Sequence, residues 1–256
     1  LRTVLGVLRE QKLFAKRKKC EGGKSSLQYS GHIVSKDGVA TDPAKIMAVQ
    51  EWPVPADVHD LRSFLGLCSY YRRFVPKFAE IAAPLTDLTR SDMCNVPAAW
   101  GPEQQSAFEE LKRRLTCAPV LVHADCARPY VLRTDASAFA IGSVLMQNLG
   151  GSLHPVAYYS RKLSPAESRY GAYAREMLAV IDSLRHFEHY IDGREVTVES
   201  DQQALSWFWG QRQLDKQQAR WMAKLQAYDL QLKYVQGKCN LVADALSRRP
   251  DHRSCQ

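Results

Sequence analysis

Hydrophobic and polar positions divide the chain into two differently patterned parts. Up to about residue 90 the apolar residues recur at helical spacing. Leu1, Val4, Leu5 and Leu8 make one stripe, Val58, Leu61, Leu65 and Cys68 a second, and Phe78, Ile81, Ala82 and Leu85 a third. Asp42 followed by Pro43 is a helix start, an N-cap acceptor with proline at the first helical position; this helix runs to about Trp52, where Pro53 and Pro55 break it. Asp57 can cap the second stripe. Ahead of these helices, residues 16–20 and 27–34 read as strands around Gly22 and Gly23, and Asp37–Gly38 marks a second turn.

Residues 91–100 read as a loop, and Pro102 opens a helix with Gln104, Phe108, Leu111 and Leu115 on one side. From residue 128 strand and helix patterns mix. Strands are expected at 129–135, 140–147, 155–160, 194–200 and 229–235, a long helix at 166–190, and shorter helices at 202–209, 214–227 and 240–248. The first three strands lie close enough to be hairpin-linked and antiparallel, whereas helical connections before the last two allow parallel pairing. The expected fold is therefore α/β: a five-stranded mixed sheet with flanking helices, preceded by a mainly helical subdomain.

Composition adds bounds. With 45% hydrophobic and 24% charged residues the chain is ordinary globular material, not a disordered segment. No apolar run approaches the roughly 18 residues of a membrane span. The formal charge of +8 is spread over both halves and favours polyanionic partners, with a local run at Lys16, Arg17, Lys18 and Lys19. Seven widely spaced cysteines without a CxxC pair point away from zinc or a disulfide framework and towards a reducing intracellular compartment. The chain opens on Leu1 without a basic-then-apolar leader, which reads as a segment of something longer.

Four acids stand in distinct settings: Asp135 at a strand end, Glu176 inside the long helix beside Met177 and Leu178, Asp201 at a strand end, and Asp244 in the final helix between Ala243 and Ala245. Hydrolysing a phosphodiester requires charge to be stabilised on both the attacking and the leaving oxygen. Two magnesium ions roughly 4 Å apart can do this, held by carboxylates from several elements. Any one of these acids alone is more simply a cap or a solvated side chain; the combination carries the hypothesis.

The segments TDASAFAIGSVLMQ, HPVAYYSRKLSPAE, REMLAVIDSLRHFEHYIDGREVTVESD and GKCNLVADALSRRP resemble the RNase H domain of reverse transcriptases from gypsy-type LTR retrotransposons. GHIVSKDGV, WPVPADVHDLRSFLGLCSYYRRFVPKFAEIAAPLTDL and AFEELKRRLTCAPVL resemble the thumb and tether that precede it. The resemblance implies a thumb-like region at 1–90, a tether at 91–127, an RNase H domain at 128–250 and a tail at 251–256. It implies that Asp135, Glu176, Asp201 and Asp244 are both catalytic residues and ligands of two Mg2+ ions, with Mn2+ as a substitute, and that Asp135 bridges the pair. A metal-activated water would then cut the RNA strand of an RNA–DNA hybrid and leave a 3′-hydroxyl.

Groove shape and the ribose 2′-OH would select the substrate. Ser137, Arg161, Asn240 and Arg248 are candidate nucleic-acid contacts near the site, and Tyr71, Arg72 and Arg73, in the run YYRRF, are candidates along a template–primer duplex. The further partners implied are the fingers and palm of a parent RNA-directed DNA polymerase, in a cytoplasmic particle or the nucleus. This chain departs from the family pattern in having Gln202, not His, after Asp201. Its loop Gln236–Gly237–Lys238–Cys239 lacks the His of cellular and retroviral enzymes, as gypsy-type sequences do, and no YxDD-like polymerase pair is present.

His186 and His189 near a helix end are expected to cap it in partly charged form, and Trp207, Trp209 and Trp221 to pack helices on the sheet. Two other functions stay in play: a catalytically inactive or host-adopted nucleic-acid-binding module, and a transposase or integrase that uses three acids on the same fold.

Overall fold

The computed structural model describes residues 2–16, 20–90, 95–200 and 216–235, the side chains of 216 and 217 excepted. Asp201, Asp244, Asn240, Arg248, Trp207 and Trp209 lie outside the described residues, as do the helices expected at 202–209 and 240–248.

The first unit opens with α1 (Arg2–Glu10), followed by a three-stranded antiparallel meander of β1 (Ser26–Tyr29), β2 (His32–Ser35) and β3 (Gly38–Thr41). The segment 27–34, expected as one strand, folds back on itself. Ser30 and Gly31 both take positive φ, 45° and 72°, and close a two-residue hairpin pairing Tyr29 with His32. A third strand follows the second turn, in keeping with the small hairpin that Asp37–Gly38 suggests. Gly38 opens it with φ +138°, and a Cβ there would stand 2.1 Å from the Leu121 carbonyl oxygen. That closeness lets Val39 and Leu121 exchange backbone hydrogen bonds of 2.7 and 2.9 Å.

Helices α2 (Pro43–Gln50), α3 (Val58–Tyr70), α4 (Phe78–Ile81), α5 (Ala83–Leu88), α6 (Val96–Ala99) and α7 (Pro102–Thr116) complete the unit. Asp42 caps α2 as expected, accepting from Ala44 N at 3.0 Å, and its other oxygen accepts from Gln28 at 2.5 Å, tying the meander to the helix. The third stripe is two short helices, because Pro84 sits in the first turn of α5 and starts a new segment. The core gathers Leu61, Phe64, Phe74, Leu85, Phe108 and Leu111, with the rings of Phe64 and Phe108 4.6 Å apart. Helix α7 and Leu121 contribute to this core, so much of the stretch expected as a tether is packed into the first unit.

The second unit is a five-stranded sheet in the order β6-β5-β4-β7-β8. β4 (Tyr130–Ala136), β5 (Ala140–Leu149) and β6 (Ser152–Lys162) are antiparallel neighbours; β7 (Glu195–Ser200) pairs parallel to β4, and β8 (Asp229–Tyr234) parallel to β7. This is the expected mixed sheet. β6 is longer than expected because Gly150 and Gly151, with φ 62° and 90°, make a tight hairpin directly onto Ser152. A register shift at Leu145/Met146 leaves Val156 as the extra residue beside Pro155, which has no N–H to give the ladder.

Alternation gives the sheet two faces. Tyr130, Leu132, Leu145 and Ala157 pack beneath Val180 and Leu184 of α8 (Ala172–His186), in one core with Trp221 from the helix Lys216–Leu225. Arg133, Asp135, Val144 and Tyr158 point the other way, towards the first unit. Buried Gln147 anchors the chain entering β4, accepting from Asp125 N at 2.9 Å and donating to Asp125 O at 2.7 Å and Arg128 O at 3.2 Å. Among the described residues no helix is long and apolar enough to cross a membrane.

Candidate active site and its surroundings

Asp135 and Glu176 both belong to the end of β4, one in the strand and one on the helix that reaches its backbone. Glu176 is buried on α8, and its Oε1 accepts a hydrogen bond from the backbone N–H of Ala136 at 3.2 Å, one residue from Asp135. A carboxylate buried inside an amphipathic helix costs free energy unless it is hydrogen-bonded or paired, and here, among Met177, Ala179 and Val180, the Ala136 N–H supplies that bond. Ser200, the last described residue of β7, directly precedes Asp201 in the chain.

Across the sheet, Arg133 and Glu199 occupy opposite register positions and form an ion pair of 2.7 Å, with Lys233 at 3.7 Å from the same carboxylate. Glu199 is thereby neutralised by its neighbours, whereas Asp135 takes its counter-charge from the other unit. The ammonium of Lys77, from the turn entering α4, pairs with Asp135 Oδ2. Opposite Asp135 in the ladder stands Gly142, and a Cβ there would lie 3.4 Å from Lys77 Cγ. The missing side chain makes room for the lysine stem. Sequence reading missed Lys77. The available signal is a lysine where a helix normally begins with Ser, Thr, Asp or Asn.

The donor chemistry fits a divalent cation: Asp135 and Glu176 offer hard carboxylate oxygens at the end of β4, and the Lys77 ammonium shows that Asp135 accepts a cationic partner. Among the described residues another acid and histidine cluster, Asp57, His59 and Asp60, has ligand atoms within 4.8 Å of one another. It is the first turn of α3, where Asp57 serves as cap and accepts from Asp60 N at 2.8 Å.

The other candidates have visible local roles. Ser137 closes the β4–β5 turn: its Oγ accepts from Ala140 N at 3.0 Å and Phe139 N at 3.2 Å. Arg161 donates to Glu167 at 2.9 and 3.1 Å and to Asp182 at 2.9 Å. Arg161 holds the Glu167 carboxyl down at about 2, and the pairing pushes the guanidinium pKa up in turn. Tyr71 corrects an expectation: its ring is fully buried and its hydroxyl donates to Gly31 O at 2.6 Å, so it is core and not a stacking surface. Arg72 and Arg73 lie at the junction of the units, Arg72 donating to Ser160 O and Arg73 to the Tyr190 hydroxyl at 3.4 Å.

His186 is a second correction. Its ring stacks on Tyr159 with centroids 3.9 Å apart, and burial, then His189 and Arg72, lower its pKa, so the charged capping form is disfavoured. Trp221 packs in the second core as expected.

Comparisons with known proteins bear on the family and on the fold. Residues 100–198 match the model of the RNase H-like domain found in reverse transcriptase. The chain is 38% identical to the retrovirus-related Pol polyprotein from transposon opus of Drosophila melanogaster over 98% of its length and 26% of that protein. It is 37% identical to that from transposon gypsy of the same organism over 96% of its length and 24% of that protein. The Transposon Tf2-3 polyprotein of Schizosaccharomyces pombe is 35% identical over 98% of this chain and 19% of its own length. The chain thus spans about a quarter or less of the curated relatives it matches.

Two solved structures share the fold. The foamy viral protease-reverse transcriptase in complex with dsDNA has a TM-score of 0.75 at 21% identity, over 91% of this chain and 50% of that one. The same enzyme in complex with RNA/DNA hybrid has a TM-score of 0.65 at 22% identity, over 83% of this chain and 29% of that one. With a five-stranded mixed sheet and relatives at 37–38% identity that match almost its whole length, the chain belongs to the retrotransposon Pol polyproteins that include gypsy, and it carries the RNase H-like domain of their reverse transcriptase.

Proposed function

We propose that the second unit hydrolyses the RNA strand of RNA–DNA hybrids with divalent metal, Mg2+ or Mn2+. The observation that carries this reading is the buried Glu176 carboxylate held by the Ala136 N–H, one residue along the central strand from Asp135. Asp135 and Glu176 would hold the metal, with Asp201 and Asp244 as the further ligands that the family resemblance implies. The metal would supply a nucleophilic water and stabilise charge on the leaving oxygen. The chain's own part is to fix the carboxylates: β4 aims Asp135 off the sheet, and the Ala136 N–H orients Glu176. A relative's complex with RNA/DNA hybrid supports the choice of substrate. The longer parent would be an RNA-directed DNA polymerase whose fingers and palm act with the first unit on a template–primer duplex.

One observation favours a second reading, a duplex-binding module that does not cut: Asp135 is paired with Lys77. Incubating the full chain with a labelled hybrid in magnesium separates the two. The nuclease cuts the RNA strand and loses that activity on Asp135→Asn. A binding module retards the hybrid without metal and cuts nothing.

A further inference from the structure

We infer that Lys77 is a built-in cation that competes with the divalent metal for Asp135, so that docking of the first unit onto the sheet sets the metal affinity of the second. The inference rests on the nuclease reading only in taking Asp135 as a metal ligand.

Four observations carry it. The Lys77 side chain is 10% exposed and its ammonium is on Asp135, which is itself 28% exposed. The pair is therefore sheltered from the solvent screening that makes surface pairs weak. Lys77 holds φ +54°, a left-handed backbone that a non-glycine residue keeps only where its surroundings impose it. The surroundings here are a docked interface: Ser160 accepts from Arg72 through its carbonyl and from Ala79 N through its hydroxyl at 2.8 Å, while Lys162 pairs with Asp87 at 2.6 Å. Gly142 leaves the lysine stem a path along the strand. Finally, a cavity of about 180 Å³ runs from Lys77 and Asp135 past Val144 and Met146 to Pro155 and Tyr158. It gives the lysine room to swing off the carboxylate without the units separating.

An ammonium and a divalent ion cannot both take the same carboxylate oxygen at full strength. A metal that takes Oδ2, where Lys77 sits, therefore breaks the Lys77–Asp135 pair, and the free energy of that pair is subtracted from the metal's affinity. A hydrogen-bonded charge pair of this kind corresponds to roughly 10-fold or more in affinity.

The test is a Mn2+ titration of the full chain, following the signal of free aquated Mn2+ by electron paramagnetic resonance, for wild type, Lys77→Met, Asp135→Asn and the double variant. Lys77→Met keeps the stem and removes the charge. The expected result is binding roughly 10-fold tighter in Lys77→Met, with the gain erased in the double variant. Equal or weaker binding in Lys77→Met overturns the inference. If Lys77→Met melts before the titration, Lys77→Gln is read by the same criterion. Hybrid cleavage on the same samples keeps the two readings apart. Tighter Mn2+ binding without cleavage in any sample keeps the role of Lys77 and removes the nuclease. Cleavage by wild type with unchanged Mn2+ affinity in the variant keeps the nuclease and removes that role.

Discussion

Glu176 reaches out of the helix packed on one face of the sheet and accepts the N–H of Ala136, the residue after Asp135, at 3.2 Å. One hydrogen bond thus fixes the position of the helical acid relative to the strand acid. Glu176→Gln retains an oxygen for the Ala136 N–H and loses the negative charge. Its thermal midpoint is expected to stay near that of wild type while hybrid cleavage falls by more than the roughly 10–100-fold that loss of an outer-shell partner costs a metal site. Cleavage within a few-fold of wild type would remove Glu176 from the site.

Arg161 serves as a structural clamp in this account. Arg161→Ala removes the cation from two partly buried carboxylates, leaving Glu167 with the Ser164 N–H and Asp182 with the Tyr159 hydroxyl, and is expected to cost about 1–2 kcal/mol, moderated by the arginine's partial exposure. In hybrid-binding titrations at several salt concentrations its slope should match wild type. A slope smaller by about 1 would instead identify Arg161 as a phosphate contact.

Acid should loosen the fold through two carboxyls. Arg113 and Arg114 hold Glu110 at about 2 against an ordinary 4.5, and Arg161 holds Glu167 likewise. The unfolded carboxyls bind protons more readily than the folded ones. Their contribution is therefore fully present above about pH 4.5 and lost as pH falls towards 2. Urea midpoints followed down through that window should fall, and fall less steeply in Glu110→Gln.

Two glycine substitutions should act in opposite directions. Gly38→Ala sets a Cβ 2.1 Å from the Leu121 carbonyl oxygen at φ +138° and is expected to cost about 2–4 kcal/mol by loss of the β3–Leu121 bridge. Gly66→Ala, inside α3 with nothing within 4 Å of the new methyl, is expected to stabilise by about 1 kcal/mol or slightly less. Urea unfolding of the two variants checks both.

The five-stranded sheet was legible because alternation and helix-length connections agree on it, although the turn at Gly150–Gly151 carries β5 to Leu149 and starts β6 at Ser152, beyond the bounds alternation sets. The early meander was less legible, because Ser30–Gly31 is a weaker hairpin signal than Asn-Gly or Asp-Gly and sits within a stretch short enough to pass for one strand. The apolar face of α7 was visible as Phe108, Leu111 and Leu115, but periodicity does not say which core a face will join. Tyr71 looked like a duplex contact because an aromatic beside arginines has the same composition in a groove and in a core. Of the site, the acids could be picked out one by one, whereas Lys77 could not, because its pairing with Asp135 arises from the docking of two units.

The most direct test of the central claim is cleavage of an end-labelled RNA–DNA hybrid by the full chain across a magnesium series, with wild type, Lys77→Met and Asp135→Asn side by side. The account predicts metal-dependent cutting of the RNA strand by the first two, at lower magnesium for Lys77→Met, and none by Asp135→Asn. Folded wild type and Lys77→Met that both leave the RNA intact at every magnesium concentration would contradict it.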